Sequence, residues 1–220
     1  MAIDIATGQV ELDRDDFHLP GRMPLRWTRR YRTGLTQSES TPLGAGWTTS
    51  WFPTLTRSGT DWIFVDREGG KHVFQDSRAE LAMGKTIRLL GSFLELKQEI
   101  GSIEVLHWDV ETHELERCVF ATNERDSGLV LSAVENGSGD RLDLVWNGDG
   151  RLTTIRQSAE QRAISILYRP DGRIDSIALE NSPDPTLVRY VYDQLSRLVA
   201  VVNRRELAHR YSYDVHSRLK

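Results

Sequence analysis

The sequence predicts an all-β chain, with an irregular N-terminal β region over residues 1–120 followed by strand–turn–strand units over 121–220 that stack into one long sheet. Three observations carry this reading. Apolar and polar residues alternate almost without pause from Leu25 to Tyr213, the period-2 pattern of strands with one buried face. Glycine, asparagine and aspartate cluster between the alternating runs, where tight turns need positive φ. Beyond residue 121 a short text recurs at near-constant spacing.

In the first region, Pro20, Pro24, Pro42 and Pro53 punctuate short aromatic-rich strands. Trp62-Ile63-Phe64-Val65 is predicted to pair, through the turn Asp66 to Gly70, with His72-Val73-Phe74. The one helix-like window, Ser77 to Met83, is too short and uncapped for more than a turn of helix. Trp27, Tyr31, Trp47, Trp51 and Trp62 admit two readings. Their alternate placement suits the buried face of a sheet, where each ring contributes a large apolar area. The other reading is an exposed platform whose ring faces stack on sugars.

In the second region, Leu142 to Trp146 is predicted to pair through Asn147-Gly148-Asp149-Gly150 with Leu152 to Ile155. Gly128-Leu129-Val130, Gly150-Arg151-Leu152, Gly172-Arg173-Ile174, Ser196-Arg197-Leu198 and Ser217-Arg218-Leu219 occupy equivalent places, their apolar third positions 21 to 24 residues apart. Such a period marks a supersecondary unit that cannot bury its apolar face alone. The turns read Tyr168-Arg169-Pro170-Asp171-Gly172-Arg173, then Tyr190-Val191-Tyr192-Asp193 leading to Arg197, then Tyr211-Ser212-Tyr213-Asp214 leading to Arg218. Tyrosine closes one strand, aspartate bonds the turn backbone, glycine or serine turns the chain, and Arg-Leu opens the next strand. Isolated hairpins are marginal in water, so the units must stack side by side.

These turns resemble the YD repeat, Tyr-x-Tyr-Asp followed by glycine and Arg-Leu, with Ser196 and Ser217 standing where glycine is favoured. That departure predicts a different geometry for the last two turns. Ile3-Asp4-Ile5-Ala6-Thr7-Gly8, Asp16-Phe17-His18-Leu19-Pro20-Gly21, Pro24-Leu25-Arg26-Trp27-Thr28-Arg29-Arg30-Tyr31 and Leu43-Gly44-Ala45-Gly46-Trp47 follow in the order seen at the start of Rhs-family shells. The resemblance implies a bacterial shell whose repeats spiral into a hollow β-cage. In polymorphic toxins of this family the cage encloses a C-terminal toxin until delivery, often by type VI secretion. The N-terminal segment would begin the wall, and a secretion-system spike or chaperone would be a further partner. The expected location is the bacterial cytoplasm before export, since the chain opens with neither a basic n-region nor an apolar h-region. Arg218-Leu219-Lys220 predicts a half-made last hairpin, its edge covered by the remainder of the shell or by a second copy.

Composition limits the other classes. Apolar residues make up 39% and charged residues 27%, the balance of a folded chain. A net charge of −4, with basic and acidic side chains interspersed, leaves no field for a run of phosphates, so nucleic acid is not expected as a partner. No apolar run is long enough to span a bilayer. Cys118, the single cysteine, lies among alternating apolar residues and reads as a buried structural thiol. The six histidines lack metal-ligand spacing, and the acids Glu11, Asp13, Asp15 and Asp16 are interrupted by Arg14 and lack the spacing of a calcium loop. Asp140 and Asp143 read as solvated carboxylates in a turn or across strand faces. With no nucleophile elbow or phosphate-cradling loop, neither enzyme activity nor a cofactor nor a metal is expected. A surface carbohydrate-binding or adhesion module is the alternative from a different class, and a residual hydrolase the third.

Overall fold

The computed structural model describes residues 2–3, 10–33, 41–109, 113–122 and 128–220. Residues 4–8 of the first N-terminal motif lie outside them. The described chain is all-β, with 3-10 turns at Leu81–Met83 and Ser158–Glu160 as its only named helical elements. Among the described residues no helix is long and apolar enough to cross a membrane.

Among the described residues, nineteen strands fall into three antiparallel sheets. β1 (Ala2–Ile3), β2 (Val10–Leu19), β3 (Leu25–Arg32) and β4 (Trp47–Thr49) pair in chain order. A three-stranded sheet holds β5 (Thr54–Ser58), β6 (Asp61–Val65) and β7 (Lys71–Phe74). The third sheet is twelve-stranded and open, each strand hydrogen-bonded to its neighbours in sequence. It begins with β8 (Ile87–Arg88), β9 (Leu94–Glu99), β10 (Ser102–Trp108), β11 (Leu115–Thr122), β12 (Leu129–Asn136), β13 (Arg141–Trp146) and β14 (Leu152–Gln157). It continues with β15 (Arg162–Tyr168), β16 (Ile174–Leu179), β17 (Thr186–Tyr192), β18 (Leu198–Asn203) and β19 (Ala208–Arg210). Both hairpins read from the sequence form, as β6–β7 and β13–β14.

The chain divides into two compact units. One comprises residues 1–19, 24–51 and 163–220, the other 20–23 and 52–162. The compositional break at 120/121 falls within β11, in the interior of the second unit. It marks where the text turns periodic, whereas the compact units join segments far apart in sequence.

In the first unit, β3 alternates strictly and turns Leu25, Trp27, Arg29 and Tyr31 inward. Trp47 and Trp51 join them, both fully buried, and the Trp51 indole donates to the Arg26 carbonyl at 2.9 Å. In the second unit, Leu55, Phe64 and Phe74 of the small sheet are buried, and Phe64 meets Phe120 of β11 edge-on at 6.0 Å. Cys118, Val119 and Phe120 are buried in succession, and the β11–β12 register shifts after Val119, with Ser132 the extra residue on β12. Pro20 to Met23 close this unit. Met23 is buried, its carbonyl accepts from Gln157 Nε2 at 3.0 Å, and the Arg22 N–H donates to Glu160 at 2.7 Å.

Candidate functional site: the repeat turns and a buried ion pair

One turn recurs along the chain. At 66–70, 136–140, 147–151, 169–173, 193–197, 203–207 and 214–218 the first residue's N–H donates to the fifth residue's carbonyl, and the fourth residue's N–H donates back to the first carbonyl. In every case the fourth residue has positive φ. The first is Asp or Asn in all but one, and its Oδ1 accepts N–H bonds from the third and fifth residues, as Asp193 does from Leu195 at 3.0 Å and Arg197 at 2.9 Å. The side chain thus replaces the water that would otherwise satisfy these donors.

The motif residues each take a place in this frame. Asp193 and Asp214 open their turns, and their second oxygens accept from the Nε of Arg197 at 2.7 Å and of Arg218 at 2.8 Å. Asp171 sits elsewhere. In the 169–173 turn Arg169 holds the opening place, and Asp171, two residues on, bonds the Arg173 N–H at 3.2 Å and its guanidinium at 3.1 Å. Ser196 and Ser217 do not change the turn. Their φ of 61° and 60° stands beside 71° at Gly150 and 85° at Gly172, so the expectation of a different geometry is corrected. The hydrogen-bond frame dictates the left-handed residue, and serine carries the steric cost that glycine avoids.

In four of these turns an aromatic stands immediately before the turn and pairs with the buried apolar residue just after it. The pairs are Trp146 with Leu152, Tyr168 with Ile174, Tyr192 with Leu198 and Tyr213 with Leu219. Three of these aromatics also reach back one repeat. Tyr192 donates its hydroxyl to the Ile174 carbonyl at 2.8 Å, Tyr213 to the Leu198 carbonyl at 2.6 Å, and Trp146 its indole N–H to the Leu131 carbonyl at 2.7 Å. Arg169 lies over the Tyr192 ring at 5.5 Å and Arg197 over the Tyr213 ring at 5.1 Å. Trp146, Tyr192 and Tyr213 are therefore clasps between consecutive units. Burial pushes the Tyr213 hydroxyl up to about 12 and that of Tyr192 higher still, so both stay protonated as donors.

The first tyrosine of each Tyr-x-Tyr-Asp unit has a different partner, the N-terminal segment. Tyr190 donates to Asp16 Oδ2 at 2.6 Å. Asp16 faces Arg29, whose Nε lies 2.7 Å from Oδ2, and Arg29 Nη1 donates to the Tyr211 hydroxyl at 3.1 Å. Side-chain exposure is 0% for Arg29 and 3% for Asp16, so this ion pair is fully buried. The Arg29 guanidinium lies 5.0 Å from the Trp47 ring centre and 5.5 Å from that of Tyr211. Trp47 donates to the Tyr213 hydroxyl at 2.9 Å, and the Tyr31 hydroxyl accepts the Leu219 N–H at 2.9 Å. Burial raises the Asp16 carboxyl against the pull of Arg29 and Tyr190, while the charge of Asp16 keeps Arg29 a firm cation.

Residues 41–47 dock in the same way. The Ile174 N–H donates to the Pro42 carbonyl at 2.8 Å. Gly44 has a φ of +91°, and a Cβ there would stand 2.9 Å from the Ser196 carbonyl oxygen, so backbone meets backbone where only glycine fits. The last turn is closed, with Leu219 buried and the Lys220 N–H bonded to the Ser212 carbonyl at 2.9 Å.

Residues 1–74 match the model of a family described as a domain of unknown function, DUF6531. No curated protein matches the chain. The matched stretch contains Asp16, Arg29, Tyr31, Gly44 and Trp47, the N-terminal half of the contacts just described.

Of the candidate platform aromatics, Trp27, Tyr31, Trp47 and Trp51 are fully buried and present no ring face to a ligand. Trp62 is half-buried on β6 in the second unit, with Arg57 over its ring at 5.7 Å. The acidic run is also resolved. Asp13 and Asp15 point outward to arginines of β3, Asp13 to Arg30 and Arg32 and Asp15 to Arg26, while a bulge after Asp15 turns Asp16 inward. Among the described residues no group of three or more His, Cys, Asp or Glu is placed to hold a metal ion. Cys118 is buried, and desolvation with the nearby Glu116 charge pushes its thiol well up, so it is held as the neutral thiol.

Two expected results follow from the turns. Asp193→Ala removes the acceptor of two N–H groups and should cost about 1–2 kcal/mol in a urea melt, whereas Asp193→Asn should cost less than half as much, because Asn147 and Asn203 already cap the same turn. The second concerns acid. Desolvation raises the Asp193 and Asp171 carboxyls slightly, but bonds from Arg197 and Arg173 outweigh it and hold both below the ordinary value; at Asp214 the Arg218 N–H acts first in the same direction. The unfolded chain binds these protons more readily. The stabilisation is therefore complete above the unfolded value and lost as pH falls through the lower folded ones. Tm should hold nearly level down to about pH 5 and drop below about pH 4, and less steeply in the Asp193→Asn, Asp214→Asn double variant.

Proposed function

We propose that this chain is the opening wall segment of an Rhs-type, YD-repeat shell that encloses a C-terminal toxin in interbacterial competition. One observation carries the reading: the two tyrosines of each complete Tyr-x-Tyr-Asp unit do different work, the first gripping the N-terminal segment through Asp16 and Arg29, the second clasping the preceding repeat. Polar groups of the motif are spent on holding strands together. That is the chemistry of a wall, and the order of N-terminal motif then repeat is the order in which a shell is begun and extended. The partners in this reading are the enclosed toxin, further shell or a second copy along the exposed β19, and a secretion-system spike or chaperone. The protein is made in the bacterial cytoplasm and then delivered.

Limited proteolysis of the full translation product tests containment. The C-terminal cargo should survive protease concentrations that digest the same cargo expressed alone, and should become sensitive in an Asp16→Ala variant. Equal digestion of free and attached cargo would overturn the reading.

A further inference from the structure

The second unit carries a cavity of about 220 Å³ that the wall reading does not use. Strand register builds it. Val105 and His107 stand two residues apart on one face of β10. Across the ladders Val105 faces Cys118 of β11, while His107 faces Leu94 of β9 and Glu116 of β11. Phe64 of β6 and its cross-strand partner His72 of β7 close the other side. Leu94, Val105, Phe64 and Cys118 are each at most 6% exposed, so the inner lining is apolar.

The charged side chains of the lining are already engaged. Asp66 accepts the N–H bonds of Glu68 at 2.9 Å and Gly70 at 2.7 Å, and lies 2.7 Å from His72 Nε2. Glu116 lies 2.8 Å from Arg67, and both Arg67 and Glu68 have further partners. A ligand with a charge of its own would have to displace one of these partners and give up its hydration against an apolar wall. A neutral ligand does neither. The Ser92 hydroxyl is engaged as well, donating to the Leu89 carbonyl at 3.2 Å. Among the described residues, His107 is the one polar side chain of the lining whose ring makes no hydrogen bond. An imidazole keeps at least one N–H whatever its charge, so it can always donate to an oxygen. A cavity of about 150 Å³ accepts benzene, so this one takes roughly one ring with a small substituent. The Phe64 ring and the Cys118 sulfur favour an aromatic ring over an aliphatic one.

We propose that this cavity binds a neutral single-ring aromatic carrying one hydroxyl, a phenol, with its ring against Val105 and Cys118 and its oxygen accepting from His107. The proposal is independent of the shell reading.

The test is a titration of the intact chain followed by amide NMR, with phenol, benzene, cyclohexanol, benzylamine and benzoate as probes. Phenol should give saturable shifts centred on Leu94, Val105 and Cys118. Benzene should bind about tenfold more weakly, the worth of one hydrogen bond, and cyclohexanol and both charged probes should also bind more weakly than phenol. His107 is exposed, so His107→Leu should fold; it should bring phenol down to the affinity of benzene and leave benzene unchanged. Nuclear Overhauser contacts between the phenol ring protons and the Val105 methyls of the native chain should place the ring. No saturable shifts, equal affinity for phenol and benzene, tighter binding of cyclohexanol or of either charged probe, an equal loss for phenol and benzene in His107→Leu, or Overhauser contacts confined to residues outside the cavity would each overturn the proposal.

Discussion

Asp16→Ala is expected to destabilise the chain by about 3–5 kcal/mol, because it strands a cation in the core. Arg29 is fully buried, points inward from β3 between Trp27 and Tyr31, and its Nη2 has no hydrogen-bond partner among the described residues. What it has is the Asp16 carboxylate at 2.7 Å, the Tyr211 hydroxyl at 3.1 Å and two ring faces. Taking away the carboxylate leaves the ring faces and one neutral hydroxyl, and cation–π attraction of about 2 kcal/mol does not offset the loss of a buried counter-ion. Tyr190 would lose its acceptor as well. The sign separates this account from a simple loss of packing. Asp16→Leu combined with Arg29→Met should recover most of the stability, since the cost lies in the unpaired charge and not in the missing volume. Urea melts of the single and double variants measure the coupling directly. If the double variant is as unstable as the sum of the singles, the pair is not acting as a pair.

Trp47→Ala is expected to cost about 3–5 kcal/mol through a different cause, the hole left by a large buried ring. Trp47 is 0% exposed, with the Tyr31 ring at 5.2 Å and the Tyr211 ring at 4.9 Å. Its indole N–H also feeds a relay, donating to Tyr213, whose hydroxyl donates on to the Leu198 carbonyl. Trp47→Phe divides the two contributions. It keeps most of the apolar volume and removes the donor, so about 1–2 kcal/mol should be lost, with the Tyr213 clasp still made. Thermal melts followed by circular dichroism give the ordering wild type, Phe, Ala. An alanine variant within about 1 kcal/mol of wild type would show that the ring is not a core element.

The fold was legible because its two strongest signals are local. Alternation placed both quoted hairpins, and the spacing of Leu152, Ile174, Leu198 and Leu219 marked the buried residue that follows each turn, the first three opening β14, β16 and β18. The roles inside the turn were partly legible. Asp193 bonds the turn backbone as its position suggests, but Asp171 does so from a different place, because Tyr168-Arg169-Pro170 shifts the turn by two residues relative to the aspartate. Glycine is favoured at the fourth place, yet Ser196, Glu206 and Ser217 adopt the same φ region, since in each of these turns the paired backbone bonds and the Asp or Asn side chain together outweigh the local preference.

The buried pair escaped the sequence for a physical reason. Asp16 belongs to an acidic run whose other members face solvent, and only the one-residue bulge in β2 turns it inward. Arg29 carried a signal of its own: it occupies an inward place in the alternation of Leu25, Trp27, Arg29 and Tyr31, where a charge demands a partner. Trp62 was grouped with the other aromatics by proximity in sequence, and the chain carries it into a separate sheet.

The shell reading is tested most directly by electron cryo-microscopy of the full translation product. The account predicts that the strands of residues 129–210 continue into further repeats forming the wall of a hollow shell, with the Asp16–Arg29 cluster within that wall and density for an enclosed domain in the lumen. A solid β structure without a lumen, or a C-terminal domain lying outside it, would contradict the account.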